Sequence, residues 1–319
     1  MMRGSLSRTV AAALLAVAAS AALAQDWPAR PVKIVAPFAP GGSADTFGRL
    51  VAERLATRLN QSFVVENRPG AGGLIGSEVV AKAPPDGYSL VVSGVASHVI
   101  APAMSPAPFD PLKSFTHIAL FGGPPVVLVV HPALEARTLD EFVALSKARA
   151  GGLSFGSPGR GTQGHLTAEL LKAQSGANLV HIPYKGAALA VSDLMGGHIP
   201  AVSSTLTTAA TQIKAGKARA LALSSARRLP DFADVPTFAE SGYPELVATV
   251  WFSLSGPAGL PQPIVARLNA EVRDILKLPE VRSRLQTDGI EPNDLDAAAF
   301  TEFVRAEIAR WAPLAQAMK

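Results

Sequence analysis

Cysteine is absent from the 319-residue chain, and charged residues make up only 17% of it. Without cysteine there can be no disulfide, no thiolate metal site and no lipid-anchored N-terminus. Past the first two dozen residues no apolar run is long enough to span a bilayer, so the mature chain is expected to be soluble. Basic residues are spread along the chain rather than clustered, which gives no footprint for nucleic acid. Low-complexity tracts and short repeats are also missing. At 48% hydrophobic residues the chain is globular rather than disordered, and it is long enough for two domains with sizeable cores.

Several chemistries lack their motifs. No Gly-Lys-Ser/Thr follows a glycine turn, so nucleotide hydrolysis on a phosphate loop is not expected. The six histidines show no metal-ligand spacing such as H-E-x-x-H. No serine is read as poised on the strained strand-to-helix turn of a hydrolase elbow. Neither a cofactor nor a metal is therefore expected.

What is present begins with a leader. Arg3 and Arg8 form a basic n-region, residues 10–19 an apolar core, and Ala22-Leu23-Ala24 a small-x-small cleavage signal. This pattern predicts a secretory signal peptide over residues 1–24 and export to a bacterial periplasm. Its removal would take the formal charge from +4 to +2, a mild balance that suits an anionic ligand.

Strands and helices then alternate. "VKIVAPF" reads as a buried strand, and "ADTFGRLVAERLATRLN" carries apolar residues three and four apart, as a helix packed on one face requires. "SFVVENR" and "YSLVVSG" are further strands, with a glycine-rich turn and a second helix between them. A second unit opens near Gly122 with "PVVLVVHP" and repeats the alternation. "VATVWFSLSGPAG" reads as a long strand leading out of it, and the remaining tail is helical. The order predicts an α/β protein of two domains, each a mainly parallel sheet flanked by helices. Domain 1 is expected over residues 25–122 and 253–319, and domain 2 over residues 123–252, with a ligand cleft between them.

Two strand-glycine-helix turns carry the functional signal. The first is Pro40-Gly41-Gly42-Ser43-Ala44-Asp45; the second runs from Gly156 and Ser157 through Gly159-Arg160-Gly161-Thr162 to His165. Each sets a helix N-terminus at the carboxyl end of a strand, where unpaired N–H groups favour negative charge. The second turn also spells GxGxxG over residues 159–164, but the following strand ends in "HIPYKG", with no acid for a ribose, so a dinucleotide is not expected. Asp45 fits either a cap on first-turn N–H groups or a ligand-facing group. His165 fits a structural or capping role or a ligand contact, and Arg160 a solvated tip or a partner for an anion. Phe38, Tyr184 and Trp251 are candidate cleft walls, with core packing as the competing role. An exported chain with two opposed anion-accepting turns and no catalytic set reads as a solute receptor that closes on its ligand.

The runs "PVKIVAPFAPGGSADTFGRLVAERL", "VVENRPGAGGLIGSEVVAKAPPDGYSLVV", "LSFGSPGRGTQGHLTAELL", "VHIPYKGAALAVSDLMGGHI" and "WFSLSGPAGLP" resemble the Bug family, the extracytoplasmic receptors of tripartite tricarboxylate transporters. The resemblance implies a periplasmic, monomeric binding protein with a two-domain Venus-flytrap fold. It implies a small carboxylate ligand and delivery to integral-membrane subunits, one large and one small. By position it assigns ligand contact to the first loop from Pro40 to Asp45 and to the second from Ser157 to Thr162 with His165. Tyr184 and Lys185 would border the cleft, as would Ser93 and Ser97. Many relatives carry an Asp-Asn pair after the "GGxV" strand; Ser204 stands where that Asp is expected, and its loss implies a ligand without an amino group. The competing functions are a periplasmic carboxylate sensor working with a sensor kinase and a periplasmic enzyme acting on a small organic acid.

Overall fold

A computed structural model describes residues 27–290 and 292–318. The expected signal peptide lies outside the described residues. Two five-stranded mixed sheets organise the chain. The first lobe opens with β1 (Val32–Ala36), α1 (Ser43–Leu59), β2 (Phe63–Asn67), α2 (Leu74–Ala81), β3 (Ser89–Gly94), α3 (Ala101–Met104) and β4 (Phe115–Gly122). The second holds β5 (Val126–Val130), α4 (Leu139–Ala148), β6 (Leu153–Ser157), α5 (Gln163–Ser175), β7 (Leu179–Pro183), α6 (Ala187–Met195), β8 (Ala201–Thr205), α7 (Leu206–Lys214) and β9 (Arg219–Leu223). The chain then returns through β10 (Phe252–Pro257) and ends in α8 (Gln262–Lys277), α9 (Pro279–Thr287) and α10 (Ala297–Ala317).

The strand orders are β2-β1-β3-β10-β4 and β7-β6-β8-β5-β9. In each sheet one strand opposes its neighbours: β10 is antiparallel to β3 and β4, and β5 to β8 and β9. These are the strands that enter a lobe directly after a crossing, so both sheets are built by the same manoeuvre. The central strands are buried on both faces, which is why they read as continuous apolar runs rather than alternating ones. Helix α1 buries Phe47, Leu50, Val51, Leu55 and Leu59 on one face, and Asn60 ends it in a left-handed conformation at φ 48°. Helix α4 starts with a capping box in which Thr138 accepts from the Glu141 N–H and Glu141 reaches back to the Thr138 N–H.

Three local features depart from the sequence expectation. Strand β4 was not anticipated, because Thr116 and His117 break the apolar run of "FTHIALFG" without setting up an alternation. Nor was the helical stretch of residues 96–104, whose first turn, Ala96–Ile100, is a π-helix. The expected long strand around Trp251 is shorter: β10 begins at Phe252, and Thr249 makes only an isolated bridge to Pro125.

That bridge marks the paired crossings. Residues 123–125 leave the first lobe alongside residues 249–251, which come back, and the Val250 N–H donates to the Pro124 carbonyl at 3.0 Å. The fit admits no side chain at Gly123, where a Cβ would overlap the Val250 carbonyl oxygen. Helix α10 holds the returning segment, since Glu307 accepts from the indole N–H of Trp251 at 2.8 Å and from that of Trp311 at 3.1 Å. Gly123→Ala is expected to cost about 1–3 kcal/mol of stability as the crossing strands part to admit the methyl group. Urea denaturation measures this, and an unchanged midpoint would contradict the close packing described.

Candidate functional site

The first glycine turn leaves the carboxyl end of β1 and ends in α1 with Gly42 as N-cap, and no side chain caps the helix. Its opening N–H groups, those of Ser43 and Ala44, have no acceptor within the helix. Asp45 is 5% exposed and turns away from them. It accepts from the Gly41 N–H at 3.0 Å, from Arg49 Nε at 3.1 Å and from Asn67 Nδ2 at 3.0 Å. Burial pushes its pKa up, but these hydrogen bonds and the Arg49 charge outweigh burial and leave it below the usual carboxylate value. Of the two roles open to Asp45, the geometry supports the structural one: it braces the turn and uses the Gly41 N–H to do so.

The second turn is braced from within its own lobe. Ser157 Oγ accepts from the Gly159 N–H at 3.1 Å and lies 2.7 Å from His181 Nε2. Thr162 is the N-cap of α5; its hydroxyl donates to the Gly159 carbonyl at 2.7 Å and accepts from the His165 N–H at 3.4 Å. His165 packs on His181, with ring centroids 4.2 Å apart. Burial first, and then the Arg160 charge, bring His165 down to about 4. His181 falls to about 3 through burial and the charges of His165 and Arg160. Both rings are thus neutral at ordinary pH.

The lobes meet through these turns. Ser43 Oγ and Thr205 Oγ1 share a hydrogen bond of 2.7 Å, and the Ala39 N–H donates to the Lys185 carbonyl at 3.0 Å. Glycines let the backbones touch: a Cβ on Gly72 would lie 2.6 Å from the Arg160 carbonyl oxygen, and one on Gly161 2.9 Å from Ala101 Cα. Between the lobes lies a cavity with about 50 Å³ open to the centre of a water molecule. Gly42, Ser43 and Ala44 line it from α1, Gln163 and Gly164 from α5, and Ala187 from α6. Phe38, Val92, Ser93, Ser97, Thr162, Thr205, Val250 and Phe252 contribute to the remaining wall. None of the described residues lining it has a charged side chain. Ser93 bonds to Ser253 at 2.6 Å and to Ser255 at 2.7 Å, and Ser97 to His98 Nδ1 at 3.0 Å. A second hollow of about 250 Å³ adjoins it across Phe38 and Pro158, lined by Gly159, Arg160, Tyr184 and Lys185 among others.

The candidates therefore divide. Phe38, Gly42, Ser43, Ala44, Ser93, Ser97 and Thr162 line the inner cavity, while Gly159, Arg160, Tyr184 and Lys185 line the outer hollow. Pro40, Gly41, Asp45, Ser157, Gly161, His165 and Ser204 line neither. Ser204 is fully buried on the face of β8 opposite to the cavity, paired in register with Val127. Its neighbour Thr205 occupies the cavity wall, because a one-residue step along a strand turns the side chain to the other face. Trp251 belongs to the crossing, and the Tyr184 hydroxyl is bound to Asp193 at 2.6 Å. Gln163 and Thr205 were not anticipated; the first position of α5 and the carboxyl end of a parallel strand were the signals available for them. Residues 152–156 spell G-x-S-x-G, but Ser154 sits inside strand β6 rather than on a turn into a helix, so no hydrolase elbow is formed there.

Comparison with known proteins gives consistent matches. The family model described as "Tripartite tricarboxylate transporter family receptor" matches residues 47–319. BugT of Bordetella pertussis is 38% identical over 291 residues, covering 91% of this chain and 89% of its own. R. palustris Rpa4515, solved with adipate, is 34% identical with a TM-score of 0.87 over 91% of this chain and 98% of its own. MatC from Rhodopseudomonas palustris, solved with bound malate, is 32% identical with a TM-score of 0.86 over 91% of this chain and 100% of its own. No helix among the described residues is long and apolar enough to cross a membrane.

The buried histidines make a pH prediction. His98 lies well below its usual value through burial and the neighbouring His117, and His117 falls to about 4 through burial. With His165 and His181, four rings stay neutral in the fold but take up protons near pH 6.5 once unfolded. Their contribution is complete above pH 6.5 and drains as pH falls, by up to about 1.4 kcal/mol per unit for each ring. Asp45 adds its own loss only below about pH 4. Urea titrations at pH 7.5 and 5 are expected to give a clearly lower stability at pH 5, and equal stabilities would contradict neutral burial.

Proposed function

The chain belongs to the tripartite tricarboxylate transporter receptor family, and on that premise we propose that it is a periplasmic receptor that closes on a small carboxylate and delivers it to an integral-membrane transporter. The membrane partner would comprise one large and one small subunit. The two lobes, residues 25–122 with 253–319 and residues 123–252, would open about the paired crossings and shut as the turns meet. The observation that carries this reading is the inner cavity, where the N-termini of α1, α5 and α6 converge on a space walled by uncharged side chains. Helix N-termini favour anions, and a carboxylate is the organic anion that two or three N–H groups recognise without a cationic side chain. Ser97 on the wall lies 3.0 Å from His98 Nδ1, but burial holds that ring well below its usual pKa and leaves it a weak base, so the wall supports capture rather than chemistry.

Ser204 does not line the cavity and so has no bearing on an amino acid ligand, whereas the wall as a whole disfavours one. An ammonium group there would lose its water, meet no acidic side chain and face the positive ends of three helices.

Magnitudes decide what closure must supply. One helix end contributes about 0.3–2 kcal/mol toward an anion. Micromolar affinity requires about 8 kcal/mol. The rest comes from direct and water-mediated hydrogen bonds and from excluding solvent as the lobes meet.

Titration calorimetry on refolded, solute-free protein tests the function. Small carboxylic acids are expected to bind, and glutamate and aspartate to bind more weakly than acids of the same carbon skeleton without the amino group. Tightest binding of an amine, a sugar or an amino acid would sink the proposal. Gly161→Val tests the closure: Gly161 has φ +79°, and its Cβ would press on Ala101. It is expected to weaken binding at least tenfold, whereas Lys217→Ala, on an exposed surface, changes it by less than threefold. Equal affinities for the two variants would count against contact between the turns as the source of binding energy.

A further inference from the structure

We propose that Gln163 is a specificity-determining residue that selects acids bearing a hydroxyl beside the carboxylate, the 2-hydroxy acids. This rests on the carboxylate-receptor reading above and narrows it. Gln163 is the first residue of α5, next to the N-cap Thr162; it is 2% exposed and lies on the wall of the inner cavity. Both polar atoms of its side chain, Oε1 and Nε2, are buried without a hydrogen-bond partner among the described residues. Its neighbours on the wall are already committed: Thr162 Oγ1 to Gly159 and His165, and the Ser43 and Thr205 hydroxyls to each other. Phe38, Val92, Val250 and Phe252 offer no polar side-chain atom. Buried amides in folded proteins are matched at both ends, so this one is fitted to a group that enters the cavity.

A primary amide presents one acceptor and one donor side by side. A plain carboxylate is acceptor-only when ionised. It can satisfy Nε2, but it leaves Oε1 unmatched and sets oxygen against oxygen. A 2-hydroxy acid complements both atoms in one ring: its hydroxyl donates to Oε1, while a carboxylate oxygen accepts from Nε2. The same carboxylate remains within reach of the first N–H groups of α5. A 2-amino acid offers a donor in the same place, but carries a charge that the wall cannot compensate. A cavity of about 50 Å³ to a water centre accommodates about four water positions, at ~10–15 Å³ for each. That space suits a compact acid of three or four carbons.

Matched pairs of probes test this on the full mature chain, refolded free of solute: L- and D-malate against succinate, and lactate against propionate, by titration calorimetry. A site built around a hydroxyl rejects the analogue that lacks it, because its own buried acceptor is then left bare. The better hydroxylated member of each pair is expected to bind about tenfold to hundredfold more tightly. Gln163→Met keeps the volume and removes both polar atoms, so it is expected to weaken both members and to abolish the difference between them. Thermal melting of the variant reports its folding, and the wild-type comparison decides the question even where the variant is lost. Equal binding of hydroxylated and plain acids by the wild type overturns the inference while leaving the carboxylate receptor intact. A hydroxyl preference that persists in Gln163→Met also overturns it. Failure of every acid to bind overturns the receptor reading itself, and this inference with it.

Discussion

Backbone N–H groups at a helix N-terminus have no partner inside the helix, and a buried set of them needs a guest or solvent. Here three such termini open into one cavity, and no charged side chain on its wall competes for the guest or repels it. The surroundings conform to that constraint. Asp45 is the acid nearest the first terminus in sequence, yet the Gly41 N–H, Arg49 and Asn67 bind it and keep its charge off the wall. His165 and His181 sit behind the second terminus and are held neutral by burial. The site is electrically quiet apart from the peptide dipoles, so a weak, directional field can decide what enters.

A field of that size would bind tightly only with water shut out, so on the receptor reading lobe contact would be part of the recognition rather than an accessory to it. Glycine is used where the lobes touch. Gly72 meets the Arg160 carbonyl and Gly161 meets Ala101, and a side chain at either place would hold the cleft ajar. The Ser43–Thr205 hydrogen bond then joins the start of one helix to the end of a strand in the other lobe, directly on the cavity wall. At the far end the crossing strands are packed against each other at Gly123 and Val250, and Glu307 grips Trp251 from the C-terminal helix. On the receptor reading, opening of the lobes would thereby fall on the backbone of a few residues.

Much of this was legible in sequence, for identifiable reasons. Long apolar periods fixed α1, and continuous apolar runs fixed β1, β3 and β5, because burial on one face or two leaves distinct signatures. The glycine turns were legible because left-handed φ and close approach both demand glycine. What escaped was side-chain direction. Ser204 and Thr205 are equally plausible by residue type, and only strand register separates the one facing α6 and α7 from the one facing the cavity. Asp45 looked able to face a ligand until Arg49 and Asn67, one turn and one strand away, were seen to claim it. Gln163 stood inside a glycine motif as an apparent spacer, and its weight comes from having no partner, a property that sequence does not record. Strand β4 escaped for a different reason: Thr116 and His117 interrupt its apolar run, so it shows neither alternation nor a continuous hydrophobic stretch.

The division between inner and outer chambers assigns different work to different charges. Arg160 and Lys185 line the outer hollow, exposed to solvent, where salt screens a single charge and its contribution to held affinity is small. On the receptor reading, such residues would act on an approaching anion through the long-range field rather than hold it. Phe38 and Pro158 border both chambers, so a ligand would pass from a screened, cationic approach into an unscreened, uncharged interior. Attraction outside would set how often an anion arrives. Selection would be made inside, by hydrogen bonds whose worth depends on shape and on the match of donor to acceptor. A cation placed on the inner wall would raise affinity for every anion alike, and without one an amide such as Gln163 would be able to tell one acid from another.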